Sequence, residues 1–307
     1  MTATGGAGGE HRPLPERDGA RPGRRIWGIG WLTLPGWLVI ATLLIAPLGI
    51  LVSYTLSTSR FFGGLNWDFT TGNLRSVLSD PVVRDSAASS LRLGLTVAVL
   101  TLLVSFPVAY IMVFRLTPRA RNLVMAAILI SLLSNYLIRI YAWRSILGEN
   151  GILNTGLIRL GVIDSPLSWL LYSPTAVVMT LMQVFAPYVV LLLLASLENI
   201  PKDVMEAAQD LGSGFFTRLV RIVFPIAAPG IVGAFLYTTI LTAGDYITPQ
   251  LVGNGRSLLL GKVIVDRFSL IGDWSAGAAL SLLMLLGFLV LWIVVNLATR
   301  LVLRWTT

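Results

Sequence analysis

The residue types that most often carry chemistry in proteins are scarce in this chain. Its 307 residues include no cysteine and a single histidine, His11, in a stretch rich in glycine, proline and arginine. These counts exclude thiolate nucleophiles, disulfides and metal sites built from cysteine or from several histidines. No pair of carboxylates stands out as an acid–base couple either. The chain is therefore not expected to be an enzyme.

One segment bears a partial likeness to a phosphate-binding loop. Gly255 and Gly261 precede Lys262 as the glycines of such a loop would, but five residues separate them instead of four. Val263 also occupies the position at which a serine or threonine hydroxyl would bind magnesium. We therefore expect no nucleotide, metal or other cofactor site in this chain.

A single carboxylate, Asp245, ends a long apolar run and is a candidate for solute binding. Ionisable groups near lipid are costly unless they face protein or water, so they are often functional. Aromatic rings that could add cation–π contacts to a cationic solute are Tyr246, Tyr141 and Trp143. The alternative is a structural ion pair of Asp245 with Arg139 or Arg144. The sequence leaves both interpretations open.

The elements that must position these residues are membrane spans. Hydrophobic residues make up 55% of the chain and charged residues only 12%, against about 25% in soluble proteins. The mean hydropathy is +0.79. The pattern predicts an all-α polytopic membrane protein. Its six predicted transmembrane helices are 32–56, 87–114, 122–147, 174–197, 226–246 and 276–302.

The distribution of charge predicts the orientation in the membrane. The net charge is +8, but the basic residues flank the apolar runs and form no nucleic-acid-binding stripe. Of the 23 lysines and arginines, 13 lie on the side that holds both termini, which predicts cytoplasmic termini. Residues 1–30 are expected to form a disordered cytoplasmic tail, and 31–307 a lipid-embedded domain.

A polar segment, 200–225, separates the fourth and fifth spans and predicts a helical hairpin. The first helix is expected over 203–211 and ends at Gly212, because glycine takes the left-handed conformation cheaply. Ser213 is expected to cap a second helix over 214–223, and Pro225 to mark the turn into the fifth span. Such a hairpin either connects two spans or docks on a partner protein.

The hairpin resembles the EAA signature of binding-protein-dependent ABC importer permeases. The matching residues are Glu206, Ala207, Ala208, Gly212, Ile222 and Pro225. The resemblance implies the type I (MetI-like) permease fold in a bacterial plasma membrane. It also implies that these residues couple the chain to ABC ATPase subunits, which would bind the ATP and magnesium. A second permease and an extracytoplasmic substrate-binding protein are the other implied partners.

The segments 139–143, 148–154 and 244–249 are similar to the spermidine/putrescine branch of that family. This similarity implies a polyamine substrate. Importers of iron, opines or sulfate share parts of these segments and stay as alternatives. A self-sufficient secondary transporter would be expected to show inverted repeats and ionisable residues at mid-membrane, and the sequence shows neither.

Overall fold

The computed structural model describes residues 27–60, 64–253 and 258–306. The chain divides into two units, Met1–Gly49 and Ile50–Thr307. In the first unit, the described part is helical from Trp27 onwards and contains Pro35 and Pro47. Residues 1–26 of the expected tail lie outside the described part, and residues 27–30 belong to the first turn of this helix.

The described residues are mostly helical, with one small antiparallel β-hairpin. The α-helices are α1 (Trp27–Thr55), α2 (Gly72–Ser79), α3 (Pro81–Phe114), α4 (Pro118–Leu133), α5 (Tyr136–Leu147), α6 (Ile152–Arg159), α7 (Pro174–Leu197), α8 (Lys202–Asp210), α9 (Phe215–Arg218), α10 (Phe224–Gly244), α11 (Ile247–Val252), α12 (Leu260–Asp266) and α13 (Trp274–Thr306). The strands are β1 (Thr58–Arg60) and β2 (Gly64–Asn66), with Ser59 opposite Leu65. Two π-helical turns are Leu219–Val223 and Arg267–Ile271.

Within the described residues, five continuous helical stretches are long and apolar enough to cross a membrane. Each overlaps one of the six expected spans, and α7 has the expected bounds. A helix of 24 residues such as α7 is about 36 Å long at 1.5 Å per residue, which exceeds a hydrocarbon core of about 30 Å. The sixth candidate is the pair α4 and α5, which counts as one broken span.

The expected continuous helix over 122–147 is wrong. The axis of α4 makes an angle of 98° with the axis of the helical stretch that starts at Tyr136. Ser134 adopts an extended conformation, and the Asn135 side chain accepts a hydrogen bond from the Leu137 amide, so it caps α5. Short polar side chains favour caps over helix interiors, and two in succession stop the helix inside an apolar run.

The expected start of the second span at residue 87 is also wrong, because α3 begins six residues earlier. Asp80 caps this helix by accepting a hydrogen bond from the Val82 amide, and Pro81 occupies the first turn, where no amide donor is needed. Arg267 lies within 3.3 Å of the Asp80 carboxylate. This ion pair ties the start of α3 to the π turn that precedes α13.

Helices α3, α7 and α10 pack together and form the centre of the second unit. One apolar cluster at the end nearer α8 joins Ala109 and Met112 of α3 with Leu193 of α7 and Ala227 of α10. A second cluster lies towards the other end and includes Val97, Leu181 and Val252. Small residues let these helices approach closely: a Cβ on Gly94 would lie 2.8 Å from the Thr239 carbonyl oxygen.

Candidate functional site

The α8–α9 hairpin is shaped by the turn that ends α8. Gly212 has a φ of +76°, in the left-handed region that glycine adopts without strain. The amide of Gly212 donates to the Gln209 carbonyl at 2.9 Å, and that of Ser213 donates to the Ala208 carbonyl at 2.9 Å. This pair of bonds is the Schellman motif, which satisfies the last carbonyls of a helix. The expected role of Gly212 in ending the first helix is confirmed.

Side chains from both arms fix the hairpin to the helix bundle. Met205 of α8 and Ile222 of the π turn pack on the apolar cluster that holds Leu193 and Leu197 of α7. The Arg218 guanidinium donates to the Gln209 side-chain oxygen at 2.8 Å and so links the two arms. Met205 and Ile222 thus anchor a rigid projection of the bundle.

The outer face of the hairpin presents the other signature residues. Glu206, Ala207 and Gly212 are exposed, and Ala208 is half-buried. Beside them, the Leu211 and Phe216 side chains are 88% and 76% exposed. An apolar, small-residue surface of this kind, fixed on a rigid base, has the properties of a docking site for a protein.

Two expectations about the second arm are wrong. Gly214, and not Ser213, occupies the cap position of α9, and the cap makes no side-chain hydrogen bond. No turn occurs at Pro225, because α9, the π turn and α10 form one helical stretch from Phe215 to Gly244. Pro225 lies in the first turn of α10, directly after the wider π turn, where its missing amide donor costs little. The second arm is therefore a direct extension of the span.

Asp245 lies at the edge of a cavity of about 510 Å³ bounded by α5, α7, α10 and α13. Its Oδ1 accepts hydrogen bonds from the Ile247 amide at 2.9 Å and the Thr248 amide at 3.4 Å. Its Oδ2 accepts one from the Tyr136 hydroxyl at 2.8 Å. The carboxylate therefore caps α11, is held in a fixed orientation, and still lines the cavity.

The cavity also contains a buried cation. Arg139 lines it and is only 8% exposed. Its Nη1 donates to the Val184 carbonyl at 3.1 Å, and its Nε has no hydrogen-bond partner. In the described part of the chain, neither Arg139 nor Arg144 forms an ion pair with Asp245. Arg144 instead donates to the Tyr172 hydroxyl at 3.1 Å.

The three aromatic residues singled out from the sequence lie outside this cavity's lining. Tyr141 is half-exposed on α5, and the Trp143 indole donates to the Gln183 side chain at 3.1 Å. Tyr246 is half-buried beside Gly261.

Other rings line the cavity around Asp245, namely those of Tyr136, Phe185, Tyr188, Tyr237 and Phe288. Sequence reasoning missed these residues because, within long apolar helices, a tyrosine that faces a cavity has the same local pattern as one that faces lipid. The polar break after α4 was the one sequence signal that could have placed Tyr136 in the cavity lining, because this break changes the direction of α5.

The fold and the hairpin define a class of membrane transport subunit, and comparison with known proteins identifies the family. Residues 108–306 match the model of the binding-protein-dependent transport system inner membrane component. The chain belongs to this family and is the permease subunit of an ABC importer, a multi-pass protein of the inner membrane. Its ATPase is a separate partner.

Among known relatives, the chain is 32% identical over 251 residues to the spermidine/putrescine transport system permease protein PotB of Escherichia coli. The aligned region covers 82% of this chain and 90% of the relative. PotB of Haemophilus influenzae is 30% identical over 247 residues, which cover 80% and 84% of the two chains.

A solved structure of a bacterial alginate ABC transporter, in complex with an alginate pentasaccharide-bound periplasmic protein, contains a similar fold. The TM-score is 0.71 at 13% identity, and the match covers 91% of this chain and 96% of the other. At this identity the likeness supports the MetI-like fold alone.

Proposed function

We propose that this permease carries polyamines of the spermidine and putrescine type. The observation that carries the proposal is the 32% identity to PotB over 251 residues. The cavity next to Asp245 is consistent with it, because a fixed carboxylate among aromatic rings attracts an ammonium group. The proposed solute path also includes Tyr246, Tyr141 and Trp143. Their aromatic rings would contact the solute before it enters this cavity or after it leaves.

The α8–α9 hairpin is proposed to transmit the conformational change of the ATPase subunit to the membrane-spanning helices. Glu206, Ala207, Ala208 and Gly212 would contact the ATPase subunit, which binds ATP and magnesium, while Ile222 and Pro225 hold the second arm in the bundle. Because that arm is continuous with α10, a displacement of the hairpin would move α10 as a lever.

The complete importer is proposed to contain a second permease subunit, ATPase subunits and an extracytoplasmic substrate-binding protein. In this arrangement both termini and the hairpin face the cytoplasm, as the distribution of lysine and arginine predicts. The long connections on the opposite side, which include α6 and α12, would face the binding protein.

A second candidate is an importer for a small solute with an anionic group, such as an opine or sulfate. The observation that favours it is Arg139, whose buried guanidinium lines the same cavity as Asp245 and has an Nε without a partner. A buried cation of this kind repels a polycation and attracts a carboxylate or sulfate.

The experiment that separates the two candidates is binding to the cognate binding protein, followed by uptake into vesicles that contain the assembled importer. Calorimetry with spermidine, putrescine, sulfate and an opine gives the solute that binds. ATP-dependent uptake of that solute then tests the permease. The polyamine proposal is wrong if spermidine and putrescine neither bind nor enter, and the importer assignment is wrong if uptake needs no ATPase subunit.

A further inference from the structure

Two cavities meet between the end of α3 and the α8–α9 hairpin, and Tyr110 and Arg115 line both of them. One cavity, of about 470 Å³, is bordered by α8 and by Arg218 of α9. The other, of about 400 Å³, follows α3 and the second arm of the hairpin. The two adjacent cavities are the apolar half and the polar half of a two-part site at the end of α3.

The polar half carries a surplus of positive charge. Its lining includes Arg115, Lys202 and Arg218 but a single acidic side chain, Glu206. The Arg218 guanidinium is held in place by Gln209, and within the described residues none of these three cations forms an ion pair. Charge-assisted hydrogen bonds from several such donors favour an anionic group in this half of the site.

The apolar half is a groove lined by Phe106, Ile111, Phe215 and Leu219. Tyr110 closes its inner side, with its ring 5.8 Å from that of Phe215 in an edge-to-face contact. Ile111 is 46% exposed and continues the apolar outer face of α3 formed by Val104 and Val108. The groove therefore borders the apolar outer face of α3.

We propose that this two-part site binds one anionic phospholipid. Its phosphate would lie between Arg115, Lys202 and Arg218, and one acyl chain would occupy the groove beside Ile111. Basic recesses between membrane helices bind anionic headgroups, and each cation near the surface adds to that attraction. A soluble phosphate would use the polar half alone and would leave the groove exposed.

The position of the site gives the lipid a regulatory role. A phosphate held by Lys202 of α8 and Arg218 of α9 bridges the two arms, while its acyl chain rests on α3. The bound lipid would therefore hold the hairpin against α3. Its effect on transport does not depend on which solute the importer carries.

The test uses the purified assembled importer, with native mass spectrometry to measure its affinity for phosphatidylglycerol and for phosphatidylcholine. We expect phosphatidylglycerol to bind more tightly, and Arg115→Gln and Lys202→Gln each to weaken its binding by about five-fold. Arg119→Gln is the matched control, because Arg119 is exposed near the same helix end and lines neither cavity. Ile111→Trp fills the groove without a change of charge and should weaken phosphatidylglycerol binding as well.

Four results would overturn the proposal. Equal affinity for the two lipids would show that the cationic half does not bind the headgroup. The same would follow if Arg119→Gln lowered the affinity for phosphatidylglycerol as much as Arg115→Gln does. Unchanged binding in Ile111→Trp, together with competition by glycerol phosphate at equal concentration, would identify a soluble phosphate as the ligand. Absence of bound phosphatidylglycerol from the assembled importer, with binding restored when the ATPase subunit is removed, would assign the site to that protein.

Discussion

The hydroxyl of Tyr136 donates a 2.8 Å hydrogen bond to the Asp245 carboxylate and so joins two residues 109 positions apart in the chain. The same hydroxyl lies 2.8 Å from Thr248 Oγ1. Tyr136 begins α5, directly after the break that follows α4, and Asp245 ends α10. This contact holds the bent α4–α5 pair against the end of a central span and fixes the carboxylate at the cavity.

Replacement of Tyr136 tests the structural value of this contact. Tyr136→Phe removes both hydroxyl contacts but keeps the ring, and leaves Asp245 Oδ2 without its donor. We expect the protein to lose about 1–3 kcal/mol of stability, measured by thermal unfolding of the purified protein in detergent. Tyr141→Phe, on the exposed side of α5, is the control and should unfold as the wild type does. Equal stability of both variants would show that the contact is not stabilising.

Removal of the charge at Asp245 tests the proposed solute class. Asn has the shape of Asp and keeps an oxygen that can cap α11, so Asp245→Asn should fold normally. For a cationic solute, we expect ATP-dependent uptake to fall about ten-fold or more, the effect of losing about 1.4 kcal/mol of attraction. Glu149→Gln, at an exposed carboxylate in the connection between α5 and α6, is the control. Uptake that is unchanged in Asp245→Asn would instead favour the anionic solutes.

Much of this fold could be predicted from the sequence, because apolar runs bounded by proline and polar residues are a strong signal. Helix α7 has the bounds expected for it, since Ser173 and Pro174 mark its start clearly. The break at Ser134 and Asn135 was missed because two polar residues scarcely lower the hydropathy of a long apolar window. The lining of the Asp245 cavity depends on that break, so it could not be predicted either.

The closeness of α3 and α10 gives a prediction about packing. In Gly94→Ala, the new methyl group would meet the Thr239 carbonyl oxygen at 2.8 Å and force the helices apart. Overpacking of this kind costs about 1–3 kcal/mol. Gly233→Ala is the matched control, because nothing lies within 4 Å of its Cβ position. Thermal unfolding should show a lower midpoint for Gly94→Ala only, and equal midpoints would contradict the close approach.

The turn at Gly212 gives a prediction about backbone conformation alone. No atom of this chain lies within 4 Å of a Cβ placed there, so within the chain a side chain acts through the φ of +76°. Asn, a side chain of similar size to Val, controls for crowding of the proposed ATPase contact. Asn tolerates this conformation and β-branched residues do not, at a cost of about 1–2 kcal/mol. We expect Gly212→Val to reduce substrate-stimulated ATP hydrolysis strongly and Gly212→Asn to reduce it little, with normal membrane insertion of both. Equal activity of the two variants would rule out this conformational role.

The hairpin shows where local sequence signals succeed and where they fail. Gly212 was predictable because the left-handed turn is a property of the residue itself. The continuity of α9 with α10 was not, because proline usually marks a boundary, whereas the π turn before Pro225 lets the helix run on. This continuity is the feature on which the proposed lever depends.

Crosslinking from Ala207 tests directly whether the α8–α9 hairpin contacts the ATPase subunit. The chain contains no cysteine, so Ala207→Cys introduces a unique thiol on the exposed face of the hairpin. Ser165→Cys, in the exposed connection before α7, is the control at the other end of the span. In membranes with the assembled importer, we expect a short thiol crosslinker to join Ala207→Cys, and not Ser165→Cys, to the ATPase subunit. Absence of that product, or the same product from both positions, would contradict it.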